Sequence, residues 1–163
     1  MSLSPSRVLT LSALALAFST AALAAPKVGD SATLAGNLVG NGINLKVTTF
    51  QKITAYDQNT DVFTVEQTQT IGAQAQTKDV QVKGSDMLTE ETAALIVQGC
   101  ASQKIGTKEH ITVAAGAFDT CRVAGQNGST LWIAPIPFGV VKLQTAISVG
   151  TISLGMSQFT HGR

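Results

Sequence analysis

The chain has 163 residues, with 11 Lys and Arg against 10 Asp and Glu, two cysteines and one tryptophan. A formal net charge of +1 leaves no electrostatic drive toward nucleic acid or an anionic surface. The length suits one domain with a sizeable core and is short for two.

The amino terminus bears on compartment. Arg7 precedes an apolar run over residues 8–23, and Ala22-Leu23-Ala24 puts small residues at the two positions that a signal peptidase reads. Residues 1–24 are therefore expected to be a cleaved signal peptide, and residues 25–163 a single exported β domain, periplasmic and without a transmembrane segment. A membrane anchor fits less well, because the apolar run is padded with Ala, Ser and Thr and ends at the cut site. Cleavage removes Arg7 and no acid, so the mature chain is neutral and no nucleic-acid partner is expected.

Residues 28–42 are small and glycine-rich around Leu34 and Leu38, and they read as bends at the start of a sheet. They lack the Lys-Ser/Thr of a phosphate loop. Over residues 43–56, Ile43, Leu45, Val47, Ile53 and Ala55 share one parity, the mark of a half-buried strand. Asp57-Gln58-Asn59-Thr60 favours a turn, and residues 61–71 return as the second arm of a long hairpin with Phe63, Val65 and Ile71 on one face. The Gln- and Thr-rich tract 67–77 around Gly72 reads as the exposed tip of a second hairpin, leading into Val80 and Val82.

One helix is expected. Thr89 offers a capping hydroxyl, Glu90 and Glu91 face the positive end of the dipole, and Gly99 ends it. Met87, Leu88, Leu95, Ile96 and Val97 give it a wide apolar face for the sheet to cover. Just past its end, Cys100 is expected to bond Cys121, closing a loop of about 20 residues and adding about 3 kcal/mol by the chain-entropy relation. The spacing is too long for a redox Cys-x-x-Cys, and two thiolates without partnered histidines make a poor zinc site. No metal or cofactor is expected.

Strands then follow one another. Residues 108–113 and 118–123 pair across Ala115-Gly116, and Asn127-Gly128 is a sharp hairpin signal before Leu131, Trp132 and Ile133. Pro135 and Pro137 forbid regular pairing and fix an extended loop ahead of Phe138-Gly139. Val141, Leu143, Ile147 and Val149 share one parity, as do Ile152, Leu154 and Met156 after Gly150, so a last hairpin is expected.

The run Glu109-His110-Ile111-Thr112-Val113-Ala114-Ala115-Gly116-Ala117-Phe118-Asp119-Thr120-Cys121-Arg122-Val123, with Leu131-Trp132-Ile133-Ala134-Pro135 and Gly139-Val140-Val141-Lys142, is similar to the carboxy-terminal signature of uncharacterised exported bacterial β-proteins labelled TapB-like. Ala114, Ala117, Ile133 and Pro137-Phe138 depart from that pattern, and the likeness covers about the last 60 to 70 residues, helix included. It implies an antiparallel, strongly curved sheet and transfers no catalytic residues. The fold expected is thus mainly β, a half-barrel or flattened barrel with one short α-helix.

Chemistry-bearing residues are sparse. Glu109 and His110 are strand neighbours that point to opposite faces, His161 lies at the frayed end, and no nucleophile elbow or paired carboxylates occur. The protein is read as non-enzymatic, and two binding readings stand. The first is an envelope protein for an apolar small molecule or lipid moiety, with Phe63, Val65, Leu95, Val141 and Leu143 lining a cavity beneath the helix. The second is an assembly factor that meets another envelope protein through Trp132, Ile133, Ile136 and Phe138 on the proline-held loop.

Overall fold

Alternating apolar residues do become strands, and all of them join one sheet. The computed structural model describes residues 25–163; the expected signal peptide lies outside the described residues. The strands are β1 (Ser31–Gly40), β2 (Ile43–Asp57), β3 (Val62–Ile71), β4 (Gln74–Lys83), β5 (Thr107–Val113), β6 (Gly116–Ala124), β7 (Thr130–Ile133), β8 (Val140–Ile147) and β9 (Gly150–Thr160), with helix α1 (Glu90–Gly99) between β4 and β5. They form a nine-stranded sheet in the order β4-β3-β2-β1-β9-β8-β7-β6-β5. Every pairing is antiparallel.

One expectation changes. The segment read as bends is the ten-residue strand β1, which pairs with β2 on one side and β9 on the other and so joins the two halves of the sheet. Its period-two signal is carried by Ala32, Leu34, Gly36 and Leu38, small because β9 passes close: a Cβ on Gly36 would strike the Ser153 carbonyl. The Gln-rich tract does form the exposed end of a hairpin turning at Gly72, but it is paired almost throughout. It stays paired from Gln67 opposite Lys78 to Ile71 opposite Gln74, and only Gly72 and Ala73 turn, with Gly72 at a φ of 59° that suits glycine.

Helix α1 starts as its sequence directs. Thr92 N–H donates to the Thr89 hydroxyl at 3.1 Å, with Glu90 and Glu91 in the first turn. Cys100 follows its last residue and is bonded to Cys121 of β6, with a Cα separation of 5.6 Å and both residues 0% exposed. The bridge is compatible with an oxidising, exported setting. Ala93 and Gly99 are the helix residues that bury fully. Among the described residues, no helix is long and apolar enough to cross a membrane.

The core forms three clusters, and the first draws on both faces of the sheet, since Phe118, which packs against it, shares its face with Arg122, Trp132 and Lys142, opposite Leu143 and Leu154. Ala32, Ala134, Ile136, Val141 and Met156 form the first, with Phe118, Phe138 and Phe159 packed against them. Leu38, Val47 and Leu154 form the second, near the turns of β1–β2 and β8–β9. Ile53, Phe63 and Val65 form the third, closed by Val82, Met87 and Phe138.

Candidate functional site

Strand register decides what lies between the second and third clusters. Cross-strand partners share a face, so Val47 and Ile71 at one end and Ile53 and Val65 at the other fix the core-facing parity of β2 and β3. The residues between them on that parity are Thr49 opposite Gln69 and Gln51 opposite Gln67; β4 continues the two rows with Gln76 opposite Gln69 and Lys78 opposite Gln67. The core side of this half of the sheet is thus apolar at both ends and amide-rich in the middle.

These six residues, with Phe50, Thr68 and Thr77 of the row between them, line an open groove of about 470 Å³. A smaller recess of about 200 Å³ shares Gln51 and Gln67 and is walled by Val65, Val82, Met87, Leu88 and Phe138. Together they have the size of small-molecule sites, typically about 300 to 1,000 Å³. Thr68 and Thr77 share a hydroxyl hydrogen bond at 2.8 Å. Among the described residues, by contrast, no side-chain hydrogen bond occupies the amides of Gln51, Gln67, Gln69 or Gln76. Each amide keeps one acceptor and two donors for a ligand.

The wall of the recess is built by the proline loop. Ala134 N–H donates to the Gly139 carbonyl at 2.9 Å and Gly139 N–H to the Ile136 carbonyl at 2.9 Å, so residues 134–139 form a closed turn. Within it Phe138 takes a φ of 62°, rare for a side-chain-bearing residue, and its ring reaches both the first and the third cluster. Met87 and Leu88 approach from the segment before α1.

The residues expected to bind are distributed differently. Trp132 is 6% exposed, Ile133 5% and Ile136 5%, so the loop points into the core and is not an open apolar surface. Trp132 donates its indole N–H to Glu109 at 2.7 Å and lies under the Lys142 ammonium, 4.5 Å from the ring centroid. Phe138 alone of the four lines the recess. The five residues assigned to one cavity do not share one: Phe63 and Val65 belong to the third cluster, Val141 to the first, Leu143 packs on the second, and Leu95 is 61% exposed on the outer side of α1. The physical reason is that α1 turns Ala93 and Gly99, its small residues, inward, which brings it close to β6 and leaves Leu95 outside.

Glu109, His110 and Arg122 do not converge on one reacting point. Glu109 pairs with Arg122 at 3.2 Å as well as with Trp132, while His110 pairs with Asp119 at 2.7 Å. Among the described residues, no three of His, Cys, Asp and Glu group as metal ligands. Near the recess, burial raises the Glu90 carboxyl above its ordinary range, partly offset by His161 at 3.4 Å. The groove glutamines are not legible from composition alone; the register across Gly72-Ala73 is what puts Gln67, Gln69 and Gln76 on the parity of Val65 and Val80.

No protein-family model, curated protein or solved structure matches this chain.

Proposed function

We propose that the protein is a non-enzymatic, exported binding protein of the cell envelope whose ligand is an amphiphile with a lipid moiety. The apolar end of the ligand enters the recess between Val65, Val82, Met87, Leu88 and Phe138, and its polar part lies on Gln51, Gln67, Gln69 and Gln76. The observation that carries the reading is the continuity of the two: Gln51 and Gln67 line both. Unpaired amides accept hydroxyl, amide or ester groups without the desolvation cost of an ion, and Lys78 at the edge suits an anionic head.

A curved sheet belongs with this proposal. Ala115, in the β5–β6 turn, donates its N–H to the Met156 carbonyl of β9 at 3.0 Å, and Val113 approaches Gly155 of the same strand. By register Val113 and Gly155 stand on the face opposite Leu154, so this approach bends the β5 edge toward that face and supports the curved-sheet reading without shaping the groove. Membership of the TapB-like exported proteins and a periplasmic location, after removal of residues 1–24, complete the reading.

The test is native mass spectrometry of the protein exported into a bacterial periplasm and purified without detergent. A discrete added mass, lost on denaturation and matching a lipid, is expected, and Val82→Trp, which fills the recess, is expected to remove it. A clean unliganded mass, or an adduct that survives Val82→Trp, refutes the assignment.

A further inference from the structure

The molecule is polar from end to end in a way the groove does not use. The turns of β1–β2, β3–β4, β6–β7 and β8–β9 all fall at one end of the sheet, because each joins neighbouring antiparallel strands running in the same sense. Two of them touch: a Cβ on Gly40 would strike Gly150. The third turn is adjacent, with Leu45 3.6 Å from the Cβ position of Gly72.

Apolar side chains stand out of these tips. Val39 is 54% exposed, Leu45 39%, Ile147 42% and Val149 39%. Leu45 and Ile147 stand on the face of the second core cluster, Val39 on the opposite face and Val149 in the β8–β9 turn, so the tips are apolar on both sides. Charge is arranged to match. Residues 36–46, 70–76, 124–131 and 143–152 contain no Asp or Glu, and Lys46 is their single charged residue. Asp30, Asp57, Asp61, Asp86, Glu90 and Glu91 gather at the opposite end, where β1 begins and β2 and β4 finish.

We propose that this acid-free row of hairpin tips docks on a lipid bilayer surface, inserting Val39, Leu45, Ile147 and Val149 into the interface between headgroups and acyl chains. Four half-exposed side chains on narrow tips fall far short of the about 800 Å² per partner that a stable protein interface requires. A bilayer asks for no shape complementarity, only apolar area without carboxylates, which is what the tips offer. With Lys46 as the one charge, insertion and not attraction to anionic headgroups holds the protein there, so salt has little influence. The proposal goes beyond the groove and does not depend on it.

The experiment is flotation of the mature protein with vesicles of equal parts phosphatidylethanolamine and phosphatidylglycerol, and with phosphatidylcholine vesicles. Flotation with both, retained at high salt, is expected. V39D/V149D is expected to lower the partition coefficient by roughly tenfold or more, since each exposed valine contributes about a fold-change of that order when buried. L95D, at an exposed apolar site on α1, is expected to leave it unchanged. Absence of flotation, loss of it at high salt, or equal flotation of V39D/V149D overturns the proposal. So does a concentration-dependent dimer in light scattering that V39D/V149D abolishes, which would make the tips a contact between copies.

Discussion

Phe138 gives a test in which the expected order of two substitutions is the reverse of the usual one. Its ring packs against two core clusters and walls the recess, and its backbone is left-handed at a φ of 62°. Removing a fully buried Phe side chain costs about 3 to 5 kcal/mol; Phe138 is half-buried, so about 2 to 3 kcal/mol is expected for Phe138→Ala. Alanine keeps the left-handed penalty of about 1 to 2 kcal/mol, and glycine does not. Glycine in turn loses about 0.5 to 1 kcal/mol to its freer unfolded chain. Phe138→Gly should therefore be more stable than Phe138→Ala by up to about 1.5 kcal/mol, or roughly 5 °C in Tm for a domain of this size. Urea unfolding with an unchanged slope measures both. If the alanine variant is the more stable, the backbone is not held left-handed; if both lose less than about 1 kcal/mol, the ring does not join the clusters.

Replacing Cys100 and Cys121 together by alanine should cost about 3 kcal/mol, read from urea midpoints. Because both residues are 0% exposed, alkylation after mild reductant should track global unfolding; rapid labelling of the folded protein would contradict that burial. For Glu90 the sign follows from its cause. Burial raises the folded carboxyl above its ordinary 4.5, so the unfolded chain gives up this proton first as pH rises. The contribution is whole below the unfolded value and lost on climbing through the raised folded one. Glu90→Gln lacks that loss, so its stability relative to the native chain should increase from about pH 4 to about pH 7. A difference that stays constant over this range would show that Glu90 titrates alike in both states.

Local chemistry made much of the fold legible. The strand expected over residues 43–56 is β2 at Ile43–Asp57, and the helix expected to be capped by Thr89 and stopped by Gly99 is α1 at Glu90–Gly99. The cysteine pair was legible from count and spacing, since nothing else was available to either thiol. What period-two patterning did not carry was partnership. Nothing in residues 31–40 says that they pair with β9, more than 100 residues away, because a ladder is made by backbone groups common to all residues. Burial around the prolines was misjudged for a related reason. Pro135 and Pro137 say that pairing stops, but the hydrogen bonds that close residues 134–139 and aim Ile136 at the core depend on the strands either side.

The proposed function draws on a difference between the two faces of β2, β3 and β4. On the outer face, Lys52, Glu66 and Asp79 stand opposite one another across the three strands, the charged row expected where a sheet meets water. One residue over, on the core side, the corresponding row is Gln51, Gln67 and Lys78, and the one beyond Phe50, Thr68 and Thr77 is Thr49, Gln69 and Gln76. Away from Lys78 at the edge, every group there is polar and uncharged. On a surface that must be covered and uncovered, burying an amide that finds a hydrogen-bond partner costs little, whereas burying an unpaired carboxylate or ammonium costs several kcal/mol. Helix α1 lies against β6 and β7 and residues 134–139 pack on Val141 and Met156, and in the proposed reading the half they leave open carries residue types that tolerate being covered by something else.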